Sequence, residues 1–212
     1  MFWTKRIKQP TRKHVILLGD SVFDNNIYIT SGNSVMKHLA EITPEHVTFT
    51  LIAKDNTKTS AMQEQLRNIP NDATHLIVSC GGNDALANTD IFQLQCKNVA
   101  EALALVEQRI RIFDVDHARM ILWLAKFNLP TTLCTIYDAD FPYPDNIVVK
   151  SALRMFNEII MTNSILANMP VLDLRNIFTE SRDFVNTWEP SRVGGQKLAE
   201  SLVRIYAAPD SQ

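Results

Sequence analysis

Cysteine is scarce in this chain, three in 212 residues, and Cys80, Cys96 and Cys134 form neither a C-x-x-C pair nor a cluster with histidine. That spacing excludes a disulfide framework and a zinc site. The three read as free thiols, with Cys80 and Cys134 each closing an apolar run as a small hydrophobe. An excess of one charge is also lacking, since 21 basic side chains face 23 acidic ones for a formal net charge of -2. Such a balance gives no field to draw nucleic acid or an anionic membrane across a whole face, so the expected partner is a small molecule. Long apolar runs are missing too: Val15 to Leu18 is too short for a signal-peptide core and far too short to span a bilayer. A soluble cytoplasmic protein is the expectation. Lys5, Arg6, Lys8, Arg12 and Lys13 make residues 1–13 a basic tail, read as a solvated terminus, with surface association as the alternative.

What is present is alternation. Near-continuous apolar and β-branched runs predict buried parallel strands at His14 to Gly19, Val47 to Ala53, His75 to Cys80, Thr131 to Ile136 and Val171 to Leu174. Helical periodicity falls between and after them, at Ser34 to Ile42, Ser60 to Ile69, Ile91 to Asn128, Asn146 to Asn168 and Arg192 to Tyr206, with a break expected near Phe113 to His117. Without repeats, low-complexity tracts or a Pro/Gly-rich linker, residues 14–206 read as one α/β domain, followed by a short tail at 207–212. Right-handed βα crossovers put helices on both faces of an open sheet and functional loops at the carboxyl ends of the strands.

Two of those ends carry chemistry. The first strand runs into Gly19-Asp20-Ser21, which places a hydroxyl at the sheet edge, where its backbone N–H could also hold an oxyanion; Ser21 is equally an ordinary turn or helix-cap serine. The third strand ends in Gly81-Gly82-Asn83-Asp84, a tight turn that offers the Asn83 amide as an oxyanion donor or, more plainly, as an Asx cap.

Gly19-Asp20-Ser21 resembles the first block of the SGNH/GDSL hydrolases, and Gly81-Gly82-Asn83-Asp84 resembles their G-x-N-D block, in the same order and strand context. Glu189-Pro190-Ser191-Arg192-Val193-Gly194 is similar to the start of that family's last helix, so the likeness extends over about residues 14 to 206. It implies a three-layer α/β/α sandwich with a five-stranded parallel sheet in the flavodoxin-like order 2-1-3-4-5. It also implies a serine nucleophile at Ser21 and hydrolysis of an acyl ester without cofactor or metal. Oxyanion donors are implied from the Ser21 backbone, Asn83 and a second-block residue, for which Asn56 is the counterpart. Gly81 belongs to this oxyanion turn, and Asp20 and Asn186 are supporting residues. Because the second-block role uses a backbone N–H, and Asn tolerates left-handed conformations, Asn56 is compatible with it.

The departure lies in the last block. Where the family has D-x-x-H, this chain reads Asn186-Thr187-Trp188-Glu189. His14 and His75 open strands and, at about 3.3 Å per residue, lie roughly 15 to 20 Å from the catalytic edge. His38 and His46 flank the opposite edge, and His117 lies well down a helix. Glu189 is then the remaining partner for Ser21, either as a direct base whose pKa burial raises or as a carboxylate that merely complements a helix dipole. Asp183 reads as a loop residue, and Asp20, Asp24 and Asp84 as turn residues rather than metal ligands.

The leading expectation is a serine esterase of a small acyl ester, and its rival is an inactive SGNH-like binding module. A phosphate-binding or signalling domain is disfavoured because GxxxxGK[ST], GxGxxG and DxDx[TV] are all missing.

Overall fold

The computed structural model describes residues 12–30 and 32–208. Lys5, Arg6 and Lys8 of the expected basic tail, and residues 209–212 of the expected C-terminal tail, lie outside the described residues.

The apolar runs form one parallel sheet from β1 (Lys13–Gly19), β2 (Val47–Leu51), β3 (His75–Ser79), β4 (Thr131–Cys134) and β5 (Val171–Leu172), ordered β2-β1-β3-β4-β5. Lys13, assigned above to the tail, is instead the first residue of β1 and pairs in register with Val47. The helices are α1 (Val35–Ile42), α2 (Met62–Leu66), α3 (Gly82–Leu86), α4 (Val99–Ala125), α5 (Asp145–Leu166) and α6 (Arg192–Tyr206).

Strand side chains alternate between two cores, as the period of two requires. Val15, Leu17 and Ile77 pack with Val35 and Leu39 of α1 and Leu198 and Leu202 of α6 on one face. Ile16, Leu18, Leu76 and Val78 pack with Met62 and Leu66 of α2 and Met120 and Leu124 of α4 on the other. A third cluster joins α4 and α5 through Ile110, Phe113, Phe156 and Ile160, beyond the end of β4 at Ile136.

Two expectations change. The helix break expected near Phe113 to His117 does not occur, because Ile110, Phe113, His117, Met120, Ile121 and Leu124 form one unbroken buried stripe without Gly or Pro. The interruption comes earlier: a 3-10 turn at Thr89–Gln93 precedes Asn98, whose side chain accepts the Glu101 N–H and starts α4. Four strands, β2 to β5, also stop short of their apolar runs; after β5, the Asp173 side chain caps a 3-10 turn at Leu174–Asn176.

Candidate active site

β1 and β3 end side by side, and their exits deliver the first two blocks. Gly19 has φ +123°, and a Cβ there would lie 1.7 Å from the Ser79 carbonyl oxygen, so only glycine lets the two strand ends approach. Past it, the Asp20 N–H donates to Ser79 O at 3.1 Å, and the Asp20 carbonyl accepts the N–H groups of Phe23 and Asp24 at 3.2 and 3.1 Å. The Asp20 carboxylate closes the turn by accepting the Val22 N–H at 3.2 Å. Ser21 sits at the apex, buried, with no acceptor for its own N–H among the described residues.

The last block arrives from the other side as a loop. Asn186 Oδ1 accepts the N–H groups of Trp188 and Glu189 at 2.9 and 2.8 Å. The Tyr137 hydroxyl donates to Trp188 O, and the buried Asn25 amide donates to Pro190 O at 3.3 Å. Ser191 caps α6 as its position suggests, accepting from Val193 and Gly194. The outcome is a contact across 168 positions of sequence: the Ser21 hydroxyl donates to Glu189 Oε1 at 3.2 Å.

Electrostatics single out two acids here. Burial pushes Glu189 up to about 7; the Ser21 hydroxyl opposes this, the charge of Asp55 adds to it, and the Trp188 indole opposes it weakly. The indole does not reach hydrogen-bond geometry, so Oε2 is buried without a bonded partner among the described residues. Burial also raises Asp20 to about 7, with the Val22 and Ser79 hydrogen bonds opposing it and the charges of Glu189 and Asp84 adding to it. No set of three metal-ligating side chains occurs among the described residues.

Ser21, Asn83, Asp20 and Glu189 line one cavity at the carboxyl edge of the sheet. The Asn83 amide donates one N–H to Thr57 O at 3.2 Å, and its second N–H has no acceptor among the described residues. Two residues fall elsewhere. Asn56 has the left-handed φ of 61° that its type permits, but it is exposed, it does not line the cavity, and its backbone N–H is taken by Asp55 Oδ1 at 2.8 Å. An oxyanion donor at Asn56 is therefore not formed in this structure. Gly81, with φ +125°, shapes the turn while Gly82 lines the cavity. Asn186 supports the Glu189 backbone, not its carboxylate.

None of the five histidines lines the cavity. His14 bonds Thr50, His38 bonds Arg192 O, His46 bonds Ala207 O and His75 bonds Thr74. Burial holds His117 down at about 4, next to Asn163. Asp183, expected to be a loop residue, is fully buried and ion-paired to Lys197 at 2.7 Å; burial raises its pKa, but Lys197 and the N–H groups of Thr179 and Glu180 outweigh that and lower it. It anchors the start of α6.

Sequence reasoning missed Gln65. This buried α2 side chain grips Gly19 twice, accepting its N–H at 2.8 Å and donating to its carbonyl at 2.7 Å, and also donates to Thr57 Oγ1 at 3.0 Å. Asp84 adds a second tie by accepting the Thr59 N–H and hydroxyl, both at 2.9 Å. A polar residue in a helix gives no sequence signal for a bond formed 46 positions away.

The architecture defines an α/β sandwich of the SGNH type. The sequence matches no family model and no curated protein. Among solved structures, this chain is similar to a lipolytic protein of the G-D-S-L family from Veillonella parvula, with TM-score 0.67 at 17% identity over 92% of this chain and 98% of that one. It is likewise similar to phospholipase A1 from Streptomyces albidoflavus, with TM-score 0.67 at 14% identity over 93% and 100% of the two chains. An acetyl-xylooligosaccharide esterase from Geobacillus Stearmophilus gives TM-score 0.67 at 11% identity over 97% and 99%. The fold is thus the one found in GDSL lipolytic proteins and esterases.

Proposed function

We propose that the protein is a serine-dependent hydrolase of acyl esters in which Ser21 is the nucleophile and Glu189 its base. The observation that carries this reading is the 3.2 Å hydrogen bond from the Ser21 hydroxyl to a buried Glu189 carboxylate raised to about 7. A carboxylate of ordinary pKa, about 4.3, accepts a proton from an alcohol poorly; one near 7 is matched to neutral pH. The likeness of the fold to esterases and lipases supports a hydrolase in general terms.

In the proposed reaction, Ser21 Oγ attacks the ester carbonyl while its proton passes to Glu189. The Ser21 N–H and the free N–H of Asn83 receive the oxyanion. As the tetrahedral intermediate collapses, Glu189 returns the proton to the departing alkoxide, leaving an acyl-Ser21 ester and free alcohol. A water then attacks the acyl carbon, gives its proton to Glu189, and the acid leaves as Ser21 is reprotonated. Every proton that Glu189 accepts is given back, so no cofactor or metal is needed.

A second reading keeps the cavity as a binding module without turnover. One observation favours it: the Asn56 N–H is committed to Asp55, so the oxyanion would meet two donors instead of the three implied above. Ser21→Ala separates the readings. It abolishes hydrolysis of p-nitrophenyl esters if Ser21 is the nucleophile; a wild type inert across an ester panel supports the binding module, and full activity in Ser21→Ala removes the assignment.

A further inference from the structure

The cavity beside Ser21 and Glu189 is built for hydrocarbon. Leading away from them it is walled by Ile91, Phe92, Val106, Ile110, Leu153 and Phe156. Away from the Ser21, Asn83, Trp188 and Glu189 end, its polar side chains are already occupied: Ser79 donates to Asp20, Asn88 to Asp84 O, Thr89 to Leu86 O and Thr135 to Asp173. Arg109, the one basic side chain on the wall, is ion-paired with Asp90 at 2.9 Å. A sugar or a charged acyl group would find few uncommitted partners along these walls, and each unpaired polar group would cost free energy. Beyond the inner wall lies a second hollow, on the outer side of α4 and α5, lined by Leu103, Met155 and Ile159 together with the charged Glu107, Arg154 and Glu158 at its rim. Val106 and Ile110 line both hollows, so these two side chains stand between them.

We propose that the cavity is an alkyl subsite for the acyl chain of a medium- or long-chain ester, with Val106 and Ile110 as the end wall that sets chain length. The proposal rests on the esterase reading and names the acyl class it takes, a long apolar chain and not acetyl. The chain leaves the Ser21 carbonyl, runs between α4 and α5, and stops at the end wall. The mouth has the same character, since Phe92 and Leu86 line the cavity and are also 42% and 37% exposed.

Two arms test the subsite and the chemistry separately. Calorimetric titration with 1-butanol and 1-decanol reads the subsite without any turnover. Affinity is expected to rise with chain length by up to about fourfold per methylene, equivalent to about 0.8 kcal/mol each. Hydrolysis of p-nitrophenyl acetate, butyrate and decanoate reads the chemistry, and kcat/KM is expected to favour decanoate. Ala152→Phe places a ring in the cavity and is expected to collapse the decanoate-to-acetate ratio. Val106→Ala opens the end wall and is expected to move the optimum to longer chains, and it serves if the first variant does not fold. Equal affinity for both alcohols, or a preference for acetate that neither variant alters, overturns the subsite. Chain-dependent binding of decanol without hydrolysis of any ester upholds the subsite and overturns the esterase reading.

Discussion

Ser21 and Glu189 meet at 3.2 Å, yet the segments that deliver them are held in different ways. The Ser21 turn is bound to the sheet: Gly19 sits against Ser79, Gln65 grips both of its backbone groups, and the Asp20 carboxylate closes the loop. The Glu189 loop is tied at single points, by the Val185 N–H to Glu189 O at 2.9 Å, the Asp140 N–H to Thr187 O at 2.7 Å, and Asn186, Tyr137 and Asn25 each bonding a backbone group, while among the described residues the carboxylate itself is hydrogen-bonded only by Ser21. The first arrangement fixes a position and the second leaves a choice. A strand end has one productive geometry, whereas a loop held by its backbone accepts a different acid or base without disturbing its supports.

Exchanging the base should have the largest effect on that comparison. Glu189→Gln keeps size and backbone, and is expected to lower kcat/KM for a p-nitrophenyl ester by about 10²- to 10⁴-fold, the usual contribution of a general base. In the wild type the rate should climb as pH passes through about 7, because only ionised Glu189 accepts the Ser21 proton. A pH profile without that limb would remove Glu189 from the base role. Loosening the other side is expected to do less. Gln65→Leu strips the buried Gly19 N–H of its partner, while the Gly19 carbonyl keeps the Lys54 N–H at 3.0 Å, costing about 1–3 kcal/mol of stability for the unsatisfied group. Through displacement of Ser21 it should lower kcat by up to about 10²-fold. A shift in kcat without a matching change in KM marks positioning; a melting temperature that falls while kcat holds marks a purely structural role.

A smaller effect tests whether the loop tolerates the imidazole pair. Glu189→His alone lacks an acid to orient its ring, because Asn186 offers an amide. Asn186→Asp with Glu189→His should exceed either single variant in kcat/KM, with a coupling of at least about 1.4 kcal/mol, or tenfold. Additive changes in a folded double variant would show that the two positions do not cooperate.

The smallest effect concerns folding. Glu189 is raised from 4.5 to about 7 in the folded chain, so the folded state holds its proton where the unfolded chain releases it. Stability from this group is therefore full below about pH 4 and is lost as pH rises to about 7. Glu189→Gln removes that loss, and is expected to be more stable than wild type by at most about 3 kcal/mol at pH 8, with the difference vanishing at acid pH. A variant no more stable at pH 8 would mean that the carboxylate is better solvated than its 4% exposure implies.

Local and short-range features were the legible ones. The apolar runs marked all five strands, glycine at the exits marked Gly19 and Gly81, and strand length kept His14 and His75 from the edge. Sequence order also brought Ser21, Asn83 and Glu189 to one cavity. Features that depend on tertiary contact were not legible. Asn56 adopts a left-handed conformation that its residue type tolerates, yet its N–H turns to the neighbouring Asp55, a competition between adjacent groups that a motif does not record. Asp183 and Lys197 are 14 positions apart and pair because the 3-10 turn at Ser181–Asp183 folds onto α6. The α4 break was misplaced because the mixed polarity around Phe113 to His117 masked a buried stripe, visible only once α5 is packed against it.

The unbroken α4 has a mechanical consequence. At about 1.5 Å per residue its 27 residues span about 40 Å. Its C-terminal third is clamped in the core by Met120, Ile121 and Leu124, while at the other end Val99 and Leu103 stand 74% and 55% exposed. The helix is therefore rooted under the sheet at one end and exposed at the other, with Val106 and Ile110 of the cavity wall between them. Amide exchange should be fastest near Val99 and slowest near Leu124, a gradient along one continuous helix.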